Sequence, residues 1–141
     1  MNMSFQAIMA SLGSGLPLLL LHFSTTLALL GVGAAVYNRI TPFRERDLIA
    51  AGNSAAGLVF GGTLVSLAIP LAATLATSHI WLDIVLWGLV SVLIQMAALL
   101  MVGIFFRDFR TSIDQGNVAA ASALVGIQIA IALLNAGAMA G

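Results

Sequence analysis

The sequence predicts an all-α integral membrane protein with four transmembrane helices. Apolar residues make up 61% of the 141 residues, and the five basic and five acidic residues stand almost entirely outside four long apolar runs. Each run has the roughly 20 residues needed to cross a hydrocarbon core of about 30 Å. A soluble chain of this size has too small an interior to hide so much apolar surface. We therefore expect a single transmembrane domain over residues 1–141.

The apolar runs place the helices in order along the chain. We expect them at residues 16–37, 55–76, 81–106 and 118–139. The first, second and fourth runs contain no charged residue, and the third contains only Asp83, near its start. In the loop after the first helix, residues 43–49 carry charges of alternating sign followed by an apolar pair. This pattern predicts a short helix lying at the membrane surface.

Arginine placement predicts the orientation of the chain. The basic residues lie in only two loops, after the first and third helices: Arg39, Arg44, Arg46, Arg107 and Arg110. Short cytoplasmic loops carry an excess of basic residues in multi-pass membrane proteins. We therefore expect both arginine-bearing loops in the cytoplasm and both chain termini on the outer side of the membrane.

Two Gly-Asn stretches resemble each other, and their similarity predicts an internal repeat. “GNSAAGLVFGGTLVSLAI” and “GNVAAASALVGIQIAIAL” precede and form the second and fourth helices. An offset of 64 residues aligns Asn53 with Asn117 and Arg46 with Arg110. Both stretches begin on the predicted cytoplasmic side. The pattern therefore indicates two helical hairpins in a parallel pseudo-repeat, related by an axis along the membrane normal.

The Gly-Asn pairs have two interpretations. Glycine permits a turn that other residues resist, and asparagine is a strong N-cap for the helix that follows. Asn53 and Asn117 are accordingly interpreted as the N-caps of the second and fourth helices. The alternative is an inward-facing anion site, formed by the two positive helix ends with Arg46 and Arg110 nearby.

Small residues on the second and fourth helices predict close helix packing. Gly57 and Gly61 form a GxxxG pair, Gly62 lies on a neighbouring face, and Gly126 lies in a similar stripe of small residues on the fourth helix. Because lipid gives no hydrophobic drive for helices to associate, close backbone approach must hold them together. These faces exceed what one internal interface requires, so we expect a homo-oligomer.

Polar residues near the helix midpoints form a predicted layer at similar depth: Thr25, Thr63, Ser66, Gln95 and Gln128. Hydrogen bonds between such side chains hold membrane helices together. The alternative is a polar constriction or ligand site in a channel or transporter. The absence of an ionisable residue at this depth argues against a proton relay.

The sequence offers little for catalysis or metal binding. His22, His79 and Asp83 are weak metal candidates with generic spacing, and we expect neither a metal nor a cofactor. With no cysteine, nucleophile–base pair or paired carboxylates, we expect no enzyme. Balanced charge argues against nucleic-acid binding. The expected partners are the lipid bilayer, further copies of the chain and, in an assembly role, other membrane subunits.

Several motifs, taken in order, resemble the YjfL-like bacterial inner-membrane family, known as domain of unknown function 350. They are “ITP” from Ile40, “DLIAAGNSAAGLVFGGTLVSLAIPL” from Asp47, Asp83-x-x-x-Trp87 with Gln95, “GNVAA” from Gly116, and Asn135-Ala136 with Met139. The resemblance implies a four-helix protein of the bacterial inner membrane and brings no activity, substrate or catalytic residue. We expect a structural or assembly component that forms oligomers. The alternative is an oligomeric channel or transporter for a small solute or ion.

Overall fold

The computed structural model describes residues 2–41 and 44–141. Six helices follow one another in these ranges: α1 (Asn2–Ile40), α2 (Glu45–Ala50), α3 (Ser54–Thr77), α4 (Trp81–Phe105), α5 (Arg107–Asp114) and α6 (Val118–Ala140). Four of them, α1, α3, α4 and α6, are long and apolar enough to cross a membrane. The predicted all-α class with four spans is confirmed. Helix α2 covers most of the predicted surface helix, whose first residue, Phe43, lies outside the described residues, as does Pro42 of the “ITP” motif.

The first span is longer than the sequence predicts. Helix α1 has 39 residues, which corresponds to about 58 Å, and begins well before the expected start at residue 16. Serine and glycine residues lower the hydropathy before that point without stopping helix formation. Ser14 Oγ donates hydrogen bonds to the carbonyl oxygens of Ala10 and Ser11 in the same helix, both at 3.1 Å. Residues 4–21 are exposed along their whole length, so this half of α1 projects beyond the other helices.

Helix α3 is the centre of the bundle and packs against α1, α4 and α6. Its buried residues follow one another along nearly the whole helix: Ala55, Ala56, Val59, Gly62, Thr63, Ser66, Leu67, Pro70, Leu71 and Thr74. Close approach of α6 depends on Gly62, because a Cβ there would lie 2.5 Å from Val125 Cγ1. Small side chains thus bring the two backbones together, as membrane helix packing requires.

Helix α1 joins the bundle through its second half. Gly33 accommodates the side chain of Val92, and Gly88 accommodates that of Leu29, at 3.0 and 2.6 Å from the respective Cβ positions. Further along α1, Tyr37 belongs to a buried cluster with residues of α3 and α4: Leu67, Met96 and Leu99. A second cluster fills the space between α3, α4, α5 and α6. The core is therefore built around α3, with α1 on one side and α6 on the other.

The two Gly-Asn junctions have the same backbone geometry. Gly52 and Gly116 both adopt φ +85°, the left-handed conformation in which glycine is favoured. The side chains of Asn53 and Asn117 each accept a hydrogen bond from the backbone N–H three residues further on, at 3.0 and 3.1 Å. The backbone N–H of each asparagine also donates to a carbonyl oxygen five residues earlier, at 2.9 Å in both cases. Each short helix is therefore followed by a turn at a glycine, and each long helix begins after an asparagine cap.

The surrounding helices do not reproduce this local symmetry. A symmetric pair of hairpins would place α1 against α6 as closely as α3 lies against α4. Among the described residues, α3 packs against α4, whereas α1 has little or no contact with α6. The repeat is evident at the junctions, while α3 lies inside the bundle and α6 lies at its edge.

Candidate functional site

A hydrogen-bonded polar cluster lies between α3, α4 and α6. Thr63 Oγ1 donates to Gln128 Oε1 at 3.3 Å, and Gln95 Nε2 donates to the backbone oxygen of Gln128 at 3.4 Å. Asn135 Nδ2 donates to Gln95 Oε1 at 3.3 Å and to the backbone oxygen of Ser91 at 3.1 Å. All five residues are buried. We refer to Thr63, Ser91, Gln95, Gln128 and Asn135 as the polar core.

The structure brings together three of the five residues predicted as a polar layer: Thr63, Gln95 and Gln128. Ser66 is also buried, but its hydroxyl donates within α3 to the carbonyl oxygen of Thr63, at 2.8 Å. Asn135 belongs to the polar core although the sequence interpretation did not assign it there. Its spacing of seven residues from Gln128, two helical turns on the same face, is the signal that identifies it.

Thr25 lies outside the polar core, and its predicted place in the layer is wrong. Its hydroxyl accepts a hydrogen bond from Trp81 Nε1 at 2.9 Å and donates to the carbonyl oxygen of Leu21 at 2.8 Å. Trp81 is the first residue of α4, about 21 Å along the helix axis from Gln95. The middle of the apolar window in α1 is not level with the middle of the bundle, because much of α1 projects beyond it.

The alternative interpretation, a joint anion site, requires Arg46 and Arg110 to lie at one place. Asn53 and Asn117 act as caps, whereas Arg46 and Arg110 line separate cavities of about 480 and 320 Å³. Arg46 is exposed. The guanidinium of Arg110 lies over Gly103, with Nη2 2.8 Å from the position that a Cβ would occupy. The two arginines do not converge on one ligand position, because α5 directs Arg110 towards α4.

Glu45 is a candidate functional residue that the sequence interpretation missed. It is only 4% exposed, and among the described residues neither carboxylate oxygen has a hydrogen-bond partner. Burial raises the pKa of Glu45 to about 7, although the positive charge of Arg110 acts in the opposite direction. The internal repeat could have indicated that this position faces the core, because the 64-residue offset aligns Glu45 with Phe109, which packs against a buried cluster.

The comparison with known proteins identifies the family. Residues 11–139 match the family described as Domain of Unknown Function (DUF350). The chain belongs to the DUF350 family. It is also similar to two proteins named UPF0719 inner membrane protein YjfL, from Escherichia coli strain K12 and from Escherichia coli O157:H7. Each is 29% identical over 118 residues, which cover 84% of this chain and 89% of the relative. No solved structure matches this DUF350 chain.

Membership of DUF350 agrees with the architecture. The relatives are named as inner-membrane proteins, and the chain has four helices that are long and apolar enough to span a bilayer. The protein is therefore a multi-pass inner-membrane protein of unknown function. Neither the family description nor the relatives' names indicate an enzyme activity.

The weak metal candidates of this DUF350 chain do not form a metal centre. Within the described residues, no three histidine or acidic side chains lie close enough together to hold an ion. Asp83 lines a cavity of about 320 Å³ at the end of the bundle where α4 begins, together with Thr74 and Ser78 of the preceding segment. His22 and His79 do not line this cavity with Asp83. The generic spacing therefore does not bring the three side chains to one point.

Proposed function

We propose that this DUF350 protein is a structural or assembly component of the inner membrane that forms homo-oligomers through one face of α6. Ser122, Gly126 and Ala130 lie one turn apart and are all exposed; we refer to them as the α6 small face. Among the described residues, nothing lies within 4 Å of a Cβ built on Gly126. This open stripe of small residues is the observation that supports the proposal.

The chemistry of lipid explains why such a face favours association. Helices in a bilayer gain little from burying apolar groups against one another, so they associate where small residues permit close backbone contact. Gly57 and Gly61 of α3 are likewise open, since nothing described lies within 4 Å of their Cβ positions. Gly62, one residue further on, is already used inside the protomer against Val125. The bundle thus leaves small-residue surface available for a second copy or another membrane subunit.

The polar core supports this proposal over a channel within one protomer. Its side chains bond to one another and to backbone oxygens, and Gln95 and Gln128 are at most 2% exposed. The polar cavities lined by Asp83, Arg46 and Arg110 lie at the two ends of the bundle. A closed set of hydrogen bonds stabilises helix packing without requiring an aqueous path.

The proposal includes an orientation. Arginines in the two short loops favour cytoplasmic α2 and α5, with both termini outside. Reporter domains fused at Met1 and Gly141 should be active on the outer side, whereas a tag inserted beside Arg44 should be accessible from the cytoplasm. A cytoplasmic C-terminus would contradict this orientation.

Cysteine cross-linking tests the α6 small face directly, because the chain has no native cysteine. We expect Ala130→Cys to form an intermolecular disulfide in native membranes on mild oxidation. Leu93→Cys, on the lipid-exposed surface of α4 at 67% exposure, is the matched control and should cross-link weakly. Adding Gly126→Leu should abolish the Ala130→Cys product while the protomer stays folded. Equal cross-linking at both positions would refute the proposed interface.

An oligomeric channel or transporter is the second candidate, and the depth of the polar core is what favours it. Thr63, Gln95 and Gln128 lie well inside their spans. Ion flux through proteoliposomes containing the purified protein, measured against protein-free vesicles, distinguishes this candidate. Flux that disappears in a folded Gln95→Leu, Gln128→Leu variant would favour the channel over the structural role.

A further inference from the structure

The side chain of Glu45 occupies a position that the second copy of the repeat fills with an aromatic ring. The 64-residue offset pairs it with Phe109, whose ring lies 5.2 Å from that of Phe106 and packs against the core. In α2, Glu45 and Leu48 are the residues turned towards the bundle, whereas Arg46 and Asp47 are exposed. Glu45 is therefore a carboxylic acid at a core-facing position.

The surroundings of Glu45 favour its neutral form. From α1, Tyr37 faces it with the hydroxyl group of Thr41 nearby, and from α5 the nearest charge is Arg110. Helix α3 contributes no charged residue. Both carboxylate oxygens of Glu45 are buried, and neither has a hydrogen-bond partner in the described part of the chain. An ionised carboxylate without donors is costly to bury, so burial shifts the equilibrium of Glu45 towards its protonated form.

The other charged groups around Glu45 are exposed, and they line a cavity of about 480 Å³ with it: Arg39, Arg44, Arg46 and Asp47. Arg44 Nε and Asp47 Oδ2 pair at 3.6 Å, with side chains that are 86% and 75% exposed. Arg39 and Arg46 are also exposed. These groups are solvated and screened, so they leave Arg110 as the cation that acts on the buried carboxyl.

We propose that Glu45 is a proton-binding switch: its protonated form favours packing of α2 on the bundle, and its ionisation favours release of α2. In the orientation proposed above, cytoplasmic pH would then control whether this short helix is docked. Tyr37 lies beside Thr63, which donates to Gln128 of the polar core, so the switch adjoins the hydrogen bonds that hold α3 to α6. This inference is independent of the proposed oligomer, because all its groups belong to one protomer.

The direction of the pH effect follows from the raised pKa of the docked form. Glu45 binds its proton more tightly when docked, with a pKa of about 7, than when exposed, where the ordinary value is 4.5. Docking is therefore strongest below pH 4.5 and weakens as the pH rises, by up to about tenfold per pH unit. The effect is complete once the pH has passed about 7. Above that value both forms are ionised and docking no longer depends on this group.

Cysteine accessibility measures docking without other reactive thiols, because the chain has none. Leu48→Cys places a thiol on the half-buried inner side of α2, and Ala50→Cys places one on its exposed side. The measured quantity is the maleimide labelling rate of Leu48→Cys divided by that of Ala50→Cys. This ratio cancels the intrinsic effect of pH on thiol reactivity and increases when α2 leaves the bundle. We expect this ratio to rise at least tenfold between pH 5 and 7 and then level off. A constant ratio would overturn the proposal.

Three further variants test the assigned groups. Glu45→Gln keeps the size of the side chain without the titration and should hold the ratio low at every pH. Arg110→Gln removes the opposing charge and should move the plateau above pH 7, whereas the matched control Arg107→Gln, an exposed arginine of the same helix, should not. A Glu45→Gln ratio that follows pH as the native residue does would overturn the proposal.

Amide hydrogen exchange of α2 in the unmodified protein measures docking without an introduced cysteine, which could itself disturb the packing of α2. Exchange protection over residues 45–50, corrected for the intrinsic pH dependence of amide exchange, should fall between pH 5 and 7 relative to α3. Unchanged relative protection would contradict the switch even if the cysteine variants failed to fold.

Discussion

The two Gly-Asn junctions share one backbone and differ in what their side chains do. Both have a glycine at φ +85° and an asparagine cap. The amide nitrogen of Asn53 also donates to the carbonyl oxygens of Ile113 and Asp114, at 2.9 and 3.2 Å. Among the described residues, no equivalent bond joins Asn117 to the first junction. The comparison teaches that a repeated sequence fixes local backbone geometry, while the position of the helix in the bundle determines the role of each side chain.

The same lesson holds for the aligned glycines of the two long helices. Gly62 and Gly126 correspond under the repeat, yet Gly62 faces Val125 inside the bundle and Gly126 faces outward. Helix α3 is surrounded by three other helices, whereas α6 has one side free. One duplicated residue therefore serves internal packing, and its counterpart is available for external packing.

The largest difference between the two copies should appear when both glycines are enlarged. Gly62→Leu would drive the new side chain into Val125, and overpacking of this kind costs about 3 kcal/mol of unfolding free energy. Gly126→Leu meets open space and should change protomer stability by less than about 0.5 kcal/mol. Thermal unfolding in detergent measures both variants. Equal destabilisation would show that the helices pack more symmetrically than the structure indicates.

The polar core sharpens the comparison, because Gln128 has an apolar counterpart, Leu64, in the first copy. We expect the double variant Gln95→Leu, Gln128→Leu to lose about 2 kcal/mol of stability, since hydrogen bonds between membrane helices contribute about 0.6–2 kcal/mol each. Gln115→Leu, at an exposed loop position, is the control and should be neutral. Unfolding midpoints in a fixed detergent provide the measurement. If the double variant were as stable as the native protein, the hydrogen bonds of the polar core would not contribute to helix packing.

The smallest expected effect separates the two caps. Asn117→Ala should cost about 1 kcal/mol, the usual value for a lost N-cap. Asn53→Ala should cost about 1 kcal/mol more, because it also removes two hydrogen bonds to the other junction. Denaturation of the paired variants under identical conditions gives the difference. If both substitutions cost the same, the bonds to Ile113 and Asp114 contribute nothing.

The ends of the helices and their caps were predictable from the sequence to different degrees. The ends of α3, α4 and α6 fall within one residue of the predicted ends, since hydropathy reports directly on the length available to cross a bilayer. The caps were also predictable, because an Asn cap bonds to a backbone group only three residues away. The N-terminal part of α1, before residue 16, was not predictable, because the helical backbone hydrogen bonds continue through Ser and Gly residues that lower the hydropathy.

The candidate sites depend more on tertiary packing. Gln95 and Gln128 were predicted to share a depth, and they do meet, because polar groups inside a bundle seek partners. Thr25 was misplaced because depth was judged from its own helix alone. Glu45 was missed because its charge suggests a solvated loop. Beyond the alignment with Phe109, it is the packing of α2 against its neighbours that identifies the position as buried.

The great length of α1 has a consequence for the surrounding lipid. The helix that contains its span runs over 37 residues from Ser4 to Ile40, about 55 Å, whereas the hydrocarbon layer is about 30 Å thick. The spans α3, α4 and α6 have 23 to 25 residues, about 35–38 Å of helix. Helices of very different length therefore share one bundle, so α1 must tilt, deform the leaflet beside it or extend its N-terminal part out of the hydrocarbon layer. Acyl-chain length should consequently influence this helix far more than its three companions.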